Sequence, residues 1–539
     1  MNSSIISNFK RFKEDNAQFI KLAITSFIVL FIYFFYRIVL FKITTLPFEA
    51  YYKSSIQMGF FKKITDNYFY TIPIILGLIF LRKKLITSWN SFEKGKFIRN
   101  FVLFLCIMLT WMFAFYDYNY YFNQSHLFDR IFLLILIPFI FWRPLFLFLF
   151  ILQIFLIIGQ FEVLHGFTRT FPLYPIYILI LFLSFFTFKM FGGKFKFIHF
   201  VYLLGCLIAS QYVFSGIGKL IKEGWVINDQ IAYLLPSAYS NGWLGFLSFE
   251  TINTITKSLS YFNFPLKLLT LFLEIGVLFL FWKRTWIKKL LFAIVILHIA
   301  IYVFSGIFFW AWILIDLFYL TLVLKKDLFD EQLIFNRKAF LLSTFIIISA
   351  IIWSRPAKLV WLDMPLNYVH EIHAETSEGK TIFLPPDFFR PFDYQFTLTL
   401  LNYLDKKPRI DIVAGVTSNK KTLDFFKTNR SNEEMLAYEK ANGNVIYNGK
   451  FKGKFTYFIQ TFISHRNNQD VSEKKYLSYL RAPDHLWTHT PFDESLNEYR
   501  NFNGKITKVF VVTKTTYFDL NKGYREIKKD TIQEIIINK

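Results

Sequence analysis

The sequence predicts an α-helical polytopic membrane protein of about eleven transmembrane helices, with a soluble α+β domain at its C-terminal end. Three observations predict it. Hydrophobic residues make up 54% of the 539, including 71 Phe. Long uncharged runs are confined to the first two thirds, and alternating, proline-punctuated sequence begins near Ser354. Charged residues are 18%, below the roughly 25% of ordinary globular chains. A formal net charge of +23 would suit nucleic acid, but the basic residues sit in short clusters between apolar runs. That pattern points to topological anchors and an anionic membrane surface, with no nucleic-acid partner. Cys106 and Cys206 each lie inside an apolar run, which excludes a disulfide framework in the soluble portion.

The first run, 23–40, follows Lys10, Arg11, Lys13 and Lys21. It is too long for a signal-peptide core and no small-residue cleavage site follows, so it is expected to stay as a membrane helix. Further runs fall at about 68–81, 101–116, 131–142, 144–159, 173–190, 200–218, 264–282, 290–304, 307–324 and 339–353. Several are shorter than the ~20 residues a helix needs to cross a bilayer. Basic clusters at Arg82 to Lys84, Arg143, Lys189 to Lys196, Lys283 to Lys289 and Lys325 to Lys338 all fall on one side if each run crosses once. The first external loop dissents, with Lys42, Lys53, Lys62 and Lys63. The majority predicts a cytoplasmic N-terminus, a membrane domain over 1–355 and an extracytoplasmic domain over 356–539, as in a bacterial inner-membrane protein.

In that second domain, β-branched and aromatic alternation predicts strands over 409–416, 454–462 and 505–518, and helical patterns lie near 431–442 and 472–481. No GxGxxG, Walker loop, CxxC or HExxH is present.

Polar residues inside apolar runs are expensive and usually functional. Glu274, His298 and Asp316 each lie eight residues from the cytoplasmic end of their run, a shared depth of about 12 Å. They are expected in one layer, with Glu274 and His298 within hydrogen-bonding reach directly or through one water. A carboxylate beside His would make a proton-handling group; a hydrogen-bonded set that glues helices together explains the same residues. The stretch 211–225, QYVFSGIGKLIKEGW, ends an apolar run with Ser215, Gly216 and Gly218 and places Lys219 near the outer boundary. A lysine in an apolar setting can serve as a base, and a snorkelling lysine at a helix end is the plainer alternative.

The phrase from Tyr212 to Leu220 followed by Trp225 resembles the vitamin K-dependent γ-carboxylase family and its bacterial HTTM relatives, whose pattern is aromatic, small, Gly, aliphatic, any, Lys, Leu, then Trp. Leu273, Glu274 and Ile275, then His298 and the run from Phe304 to Phe308, are similar to that family's acidic residue followed by a His-bearing helix, although Gly here precedes Ile. The segment from Asn123 to Leu127, with His126, resembles a third family segment. The resemblance covers about residues 20–355. It implies a lysine base that deprotonates a reduced quinone of the vitamin K or menaquinol kind, which oxygen then converts to an epoxide through a strong base. That base removes a γ-proton from a peptide glutamate, which captures carbon dioxide.

By that resemblance Lys219, His298, Glu274 and His126 are the candidate catalytic residues, and Gly216, Trp225 and Asp316 the candidate cofactor contacts, with no metal. Lys219 lies about 15 Å from the buried trio on the depth argument. The C-terminal domain shows no propeptide-binding pattern. A protein or peptide substrate or partner on the outer side and membrane lipid are the expected partners. A non-catalytic membrane scaffold with the same fold is the alternative, ahead of a transporter. His370 and His373 with Asp363, Glu371 and Glu375, and His485 with His489 beside Trp487, match no established zinc spacing and are read as surface groups. Glu162, His165 and Arg169 are read as a loop that lines an entrance or is simply solvated.

Overall fold

The computed structural model describes residues 2–46, 56–81, 86–114, 127–159, 174–221, 225, 229–325, 331–356, 364–389, 396, 401–410, 417, 419–428, 430–468, 480, 482–483, 485, 496 and 502–537. Every apolar run becomes helix. In chain order these are α1 (Asn2–Thr44), α2 (Ile56–Thr65), α3 (Tyr68–Leu81), α4 (Gly95–Ala114), α5 (Leu127–Trp142), α6 (Phe146–Gly159) and α7 (Tyr174–Met190). Then come α8 (Phe197–Ile221), α9 (Gln230–Ser240), α10 (Phe249–Tyr261), α11 (Asn263–Gly276), α12 (Arg284–Ser305), α13 (Trp310–Leu324) and α14 (Arg337–Trp353).

The expectation of about eleven spans reduces to a coarser finding. Among the described residues α1 from Asn16, α4, α8 and α12 are long and apolar enough to cross a bilayer, and α10 with α11 makes a fifth candidate bent by 68°. Helices α6, α7 and α13 have 14, 17 and 15 residues, which at 1.5 Å per residue leaves them shorter than the ~30 Å hydrocarbon layer. Such apolar helices are consistent with a membrane-integral protein.

Helix α8 is central. Its apolar window is fully buried, whereas those of α1 and α12 are only 33% buried and turn exposed Phe and Ile outward. A helix apolar all round belongs inside a protein rather than at its surface. Around α8 pack α11, α14 and α7. Gly216 permits a close approach of α11: a Cβ there would lie 2.8 Å from the Ile275 side chain and 3.2 Å from the Glu274 Cβ. Helices α1 and α14 run parallel, since Lys338 at the start of α14 donates to Asn16 and Arg37 donates to the Trp353 carbonyl at its end (2.8 Å).

The C-terminal part is α+β. Strands β1 (Leu366–Thr376), β2 (Thr381–Leu384), β3 (Ile506–Asp519) and β4 (Gly523–Ile536) form an antiparallel sheet in the order β2-β1-β3-β4. The strand expected over 505–518 is β3. Helices α15 (Lys420–Lys427), α16 (Asn432–Asn442) and α17 (Gly449–Asn467) accompany it. The helix expected near 431–442 is α16, opened by a capping box of Ser431 and Glu434.

The strand expected over 454–462 is instead α17. Phe455, Phe458, Ile459, Phe462 and Ile463 are its buried face, a spacing of i, i+3, i+4, i+7 and i+8 that outweighs the aromatic and β-branched composition. Of the strand expected over 409–416, Arg409 forms an isolated bridge with Asn444, and 411–416 lie outside the described residues. The helix expected over 472–481 also lies outside them, except Leu480.

The two parts meet at the end of the bundle where α8 finishes. Asn367 on β1 donates to Ser237 on α9 (2.8 Å), and the Trp111 and Trp310 indoles donate to the carbonyls of Leu480 (2.6 Å) and Pro483 (3.0 Å). Between α12 and α13, Gly306 takes the left-handed conformation at φ 70°, the usual helix stop. The turn after it is held by His485, whose carbonyl accepts from Phe308 N (2.7 Å) and whose ring meets the Phe308 carbonyl (3.1 Å).

Candidate functional site

Lys219 lies in the last turn of α8 and Glu274 in the last turn of α11. The Lys219 amine donates to both Glu274 oxygens, at 2.6 and 2.7 Å, and to Ser215 Oγ at 3.0 Å; Ser215 also donates to Glu274 at 3.2 Å. Lys219 is 3% exposed and Glu274 6%. The Lys219 amine stands 5.3 Å from the centre of the Trp225 ring, in range for a cation–π contact.

The expected gap of about 15 Å between Lys219 and Glu274 is therefore absent. Helical side chains point back toward the N-terminus, so a lysine in the last turn of α8 reaches down one turn to the level of Ser215. His298 also lies further along its helix than expected, because α12 begins at Arg284 rather than Leu290.

The expected Glu274–His298 contact is not formed: both Glu274 oxygens accept from Lys219, and no hydrogen bond joins the two residues among the described ones. His298 is buried among the rings of Phe309 (5.0 Å), Tyr212 (5.6 Å) and Trp312 (6.2 Å), and its Nδ1 has no partner among the described residues. Asp316 accepts from the Tyr212 hydroxyl at 2.5 Å. The trio thus surrounds one place, but through Lys219 and Tyr212 rather than by direct contact.

Lys219, Glu274, His298, Trp225, Tyr212 and Ser215 line a cavity of about 160 Å³. Its other walls include Phe304, Phe309, Trp312, Leu234 and Ile301. Of the candidate cofactor contacts only Trp225 is on this wall. Asp316 stands behind Tyr212, and Gly216 serves the α8–α11 packing. His126 lies outside the described residues, as do Asp363, His489, Trp487, Glu162, His165 and Arg169. Gln230 lines the cavity and was missed by the sequence reading; its signal was a lone amide in a short apolar helix beside Trp225.

No group of three or more His, Cys, Asp or Glu that could hold a metal occurs among the described residues. His373 pairs with Glu371 at 3.0 Å, and Lys514 pairs with the same carboxylate at 2.5 Å. Cys106 and Cys206 are buried free thiols. Compared with family models, curated proteins and solved structures, the chain matches none.

Proposed function

We propose that the chain is an integral membrane enzyme that uses Lys219 as a base toward a reduced quinone, of the vitamin K or menaquinol kind. With oxygen and carbon dioxide as co-reactants, it would modify a protein or peptide on the outer side of a bacterial inner membrane. One observation carries the reading: a buried lysine amine, positioned by Glu274 and Ser215, on the wall of a cavity otherwise lined mainly by aromatic and aliphatic side chains.

The lining suits such a group. Trp225, Trp312, Phe309 and Phe304 offer flat apolar surface for a ring, and the Trp225 indole nitrogen and His298 Nδ1 have no partner among the described residues. A reduced quinone bound there would supply an acidic ring hydroxyl and, with oxygen, the oxidative driving force. The chain's own part is proton handling. The Glu274 carboxylate takes a proton from the Lys219 ammonium along their 2.6 Å hydrogen bond, which leaves a neutral amine free to accept the proton of a ligand hydroxyl. Ser215 keeps the amine in register, and Tyr212, anchored on Asp316, keeps the His298 ring beside the cavity.

One observation favours the non-catalytic scaffold instead: all three donors of the amine already have acceptors in the protein, as in a structural ion pair. Oxygen uptake by the purified chain in lipid nanodiscs, with a short-chain naphthoquinol and bicarbonate, separates the two. Uptake that is lost in Lys219→Arg supports the enzyme, because guanidinium stays protonated. No uptake above background by the wild type supports the scaffold, and uptake equal in the variant and the wild type removes Lys219 from the chemistry.

A further inference from the structure

Gln230 is 1% exposed and lines the same cavity, yet neither its amide nitrogen nor its amide oxygen has a hydrogen-bond partner among the described residues. Trp225, 4% exposed on the same wall, likewise leaves its indole N–H without one. A buried polar group without a partner destabilises the fold, and most such groups in folded proteins are satisfied. Two on one cavity wall indicate atoms held for something that enters it. Their chemistry is specific: an indole N–H can only donate, whereas a carboxamide both donates and accepts.

Charge narrows the ligand further. Among the described residues that line the cavity, the charged ones are Lys219 and Glu274, and they neutralise each other at 2.6 Å. An anionic head would bring in a buried charge with no free cation to meet it, which desolvation strongly opposes. The remaining wall is apolar. Of the cavity wall, Leu266 on α11 and Leu297 and Ala300 on α12 are half-buried, and their helices turn Leu269 and Ile296 outward.

We infer that Gln230 and Trp225 form the head-recognition end of the cavity, and that its ligand is an uncharged, lipid-soluble molecule with a carbonyl or hydroxyl head, entering from the bilayer between α11 and α12. This rests on the proposed reading of the cavity as a ligand site but requires no turnover. It also assigns Gln230 a cost in the empty protein, because its amide gains partners only when the head arrives.

The test is equilibrium binding of decyl-benzoquinone, decanoate and decyl phosphate to the full chain in nanodiscs of zwitterionic lipid, for wild type, Gln230→Leu and Trp225→Phe. The neutral probe should bind the wild type at least tenfold more tightly than either anion, and each substitution should weaken it by roughly tenfold. The melting temperature of unliganded Gln230→Leu should equal or exceed that of the wild type, since an unsatisfied amide has been replaced by an apolar group of similar size. Anions that bind as tightly as the quinone, or no binding of the neutral probe, would overturn the inference. So would binding within twofold of wild type in both variants, or a lower melting temperature in Gln230→Leu, which marks an amide satisfied by water in a purely structural role. Neutral-probe binding without any turnover counts against the catalytic proposal alone. Turnover with unchanged binding in both variants counts against this inference alone.

Discussion

Lys219 and Glu274 are each nearly inaccessible, and they pair at 2.6 Å. Removing one member of a buried ion pair strands the other charge, at about 3–5 kcal/mol, whereas replacing both by apolar residues of similar volume is often neutral or better. Lys219→Ala should therefore lower the stability of the protein in detergent by roughly that amount, and Lys219→Met combined with Glu274→Leu should recover most of it. Thermal unfolding of the single and double variants measures both. At this scale the sequence revealed the residues but not their pairing. The small residues around Lys219 and the carboxylate inside an apolar run marked two partners, yet counting depth by backbone position placed them apart, because it ignored the downward lean and long stem of lysine. Gln230 stayed hidden because nothing in its immediate sequence says that the chain folds its helix against the same cavity.

Elements meet at the site through one glycine. Gly216 lets α11 approach α8 closely enough for Lys219, three residues on, to reach Glu274, next to the Ile275 that touches it. Gly216→Leu should push α11 outward and weaken the Lys219–Glu274 pair. The expected readout is a destabilisation of about 1–3 kcal/mol, typical of overpacking, together with loss of ligand binding. Helix existence was legible from the apolar runs, all of which became helix, and the helical pattern near 431–442 became α16. The misjudged element was α17, where aromatic and β-branched residues suggested a strand although the apolar positions already repeated with helical spacing. Span count was not legible, because several apolar runs fold into helices of only 14 to 17 residues, and a run's composition does not tell a short buried helix from a crossing one.

For the whole molecule, the parallel course of α1 and α14 puts Asn16 and the C-terminal domain at opposite ends of the bundle, in keeping with the basic loops. We predict that Asn442→Cys is labelled by a membrane-impermeant maleimide added from outside spheroplasts, whereas labelling only after permeabilisation would reverse the orientation. The domain itself should have an acid limit. Burial opposes the charge of Glu371, but hydrogen bonds from His373 and Lys514 outweigh it and hold the carboxyl down to about 2. A carboxylate depressed in the folded state stabilises above its unfolded value of roughly 4.3 and loses that contribution as pH falls toward 2. The full chain should therefore lose up to about 3 kcal/mol between pH 4.5 and 2, and Glu371→Gln should flatten that segment of an acid titration followed by near-ultraviolet circular dichroism.

The claim on which the functional account depends is that the buried pair does chemistry and is not merely a rivet between α8 and α11. Lys219→Met combined with Glu274→Leu keeps the packing while removing every proton the pair could move. Quinol-dependent oxygen uptake by this double variant, in nanodiscs and with its melting temperature confirmed close to that of the wild type, should fall to background; uptake at the wild-type rate would contradict the account.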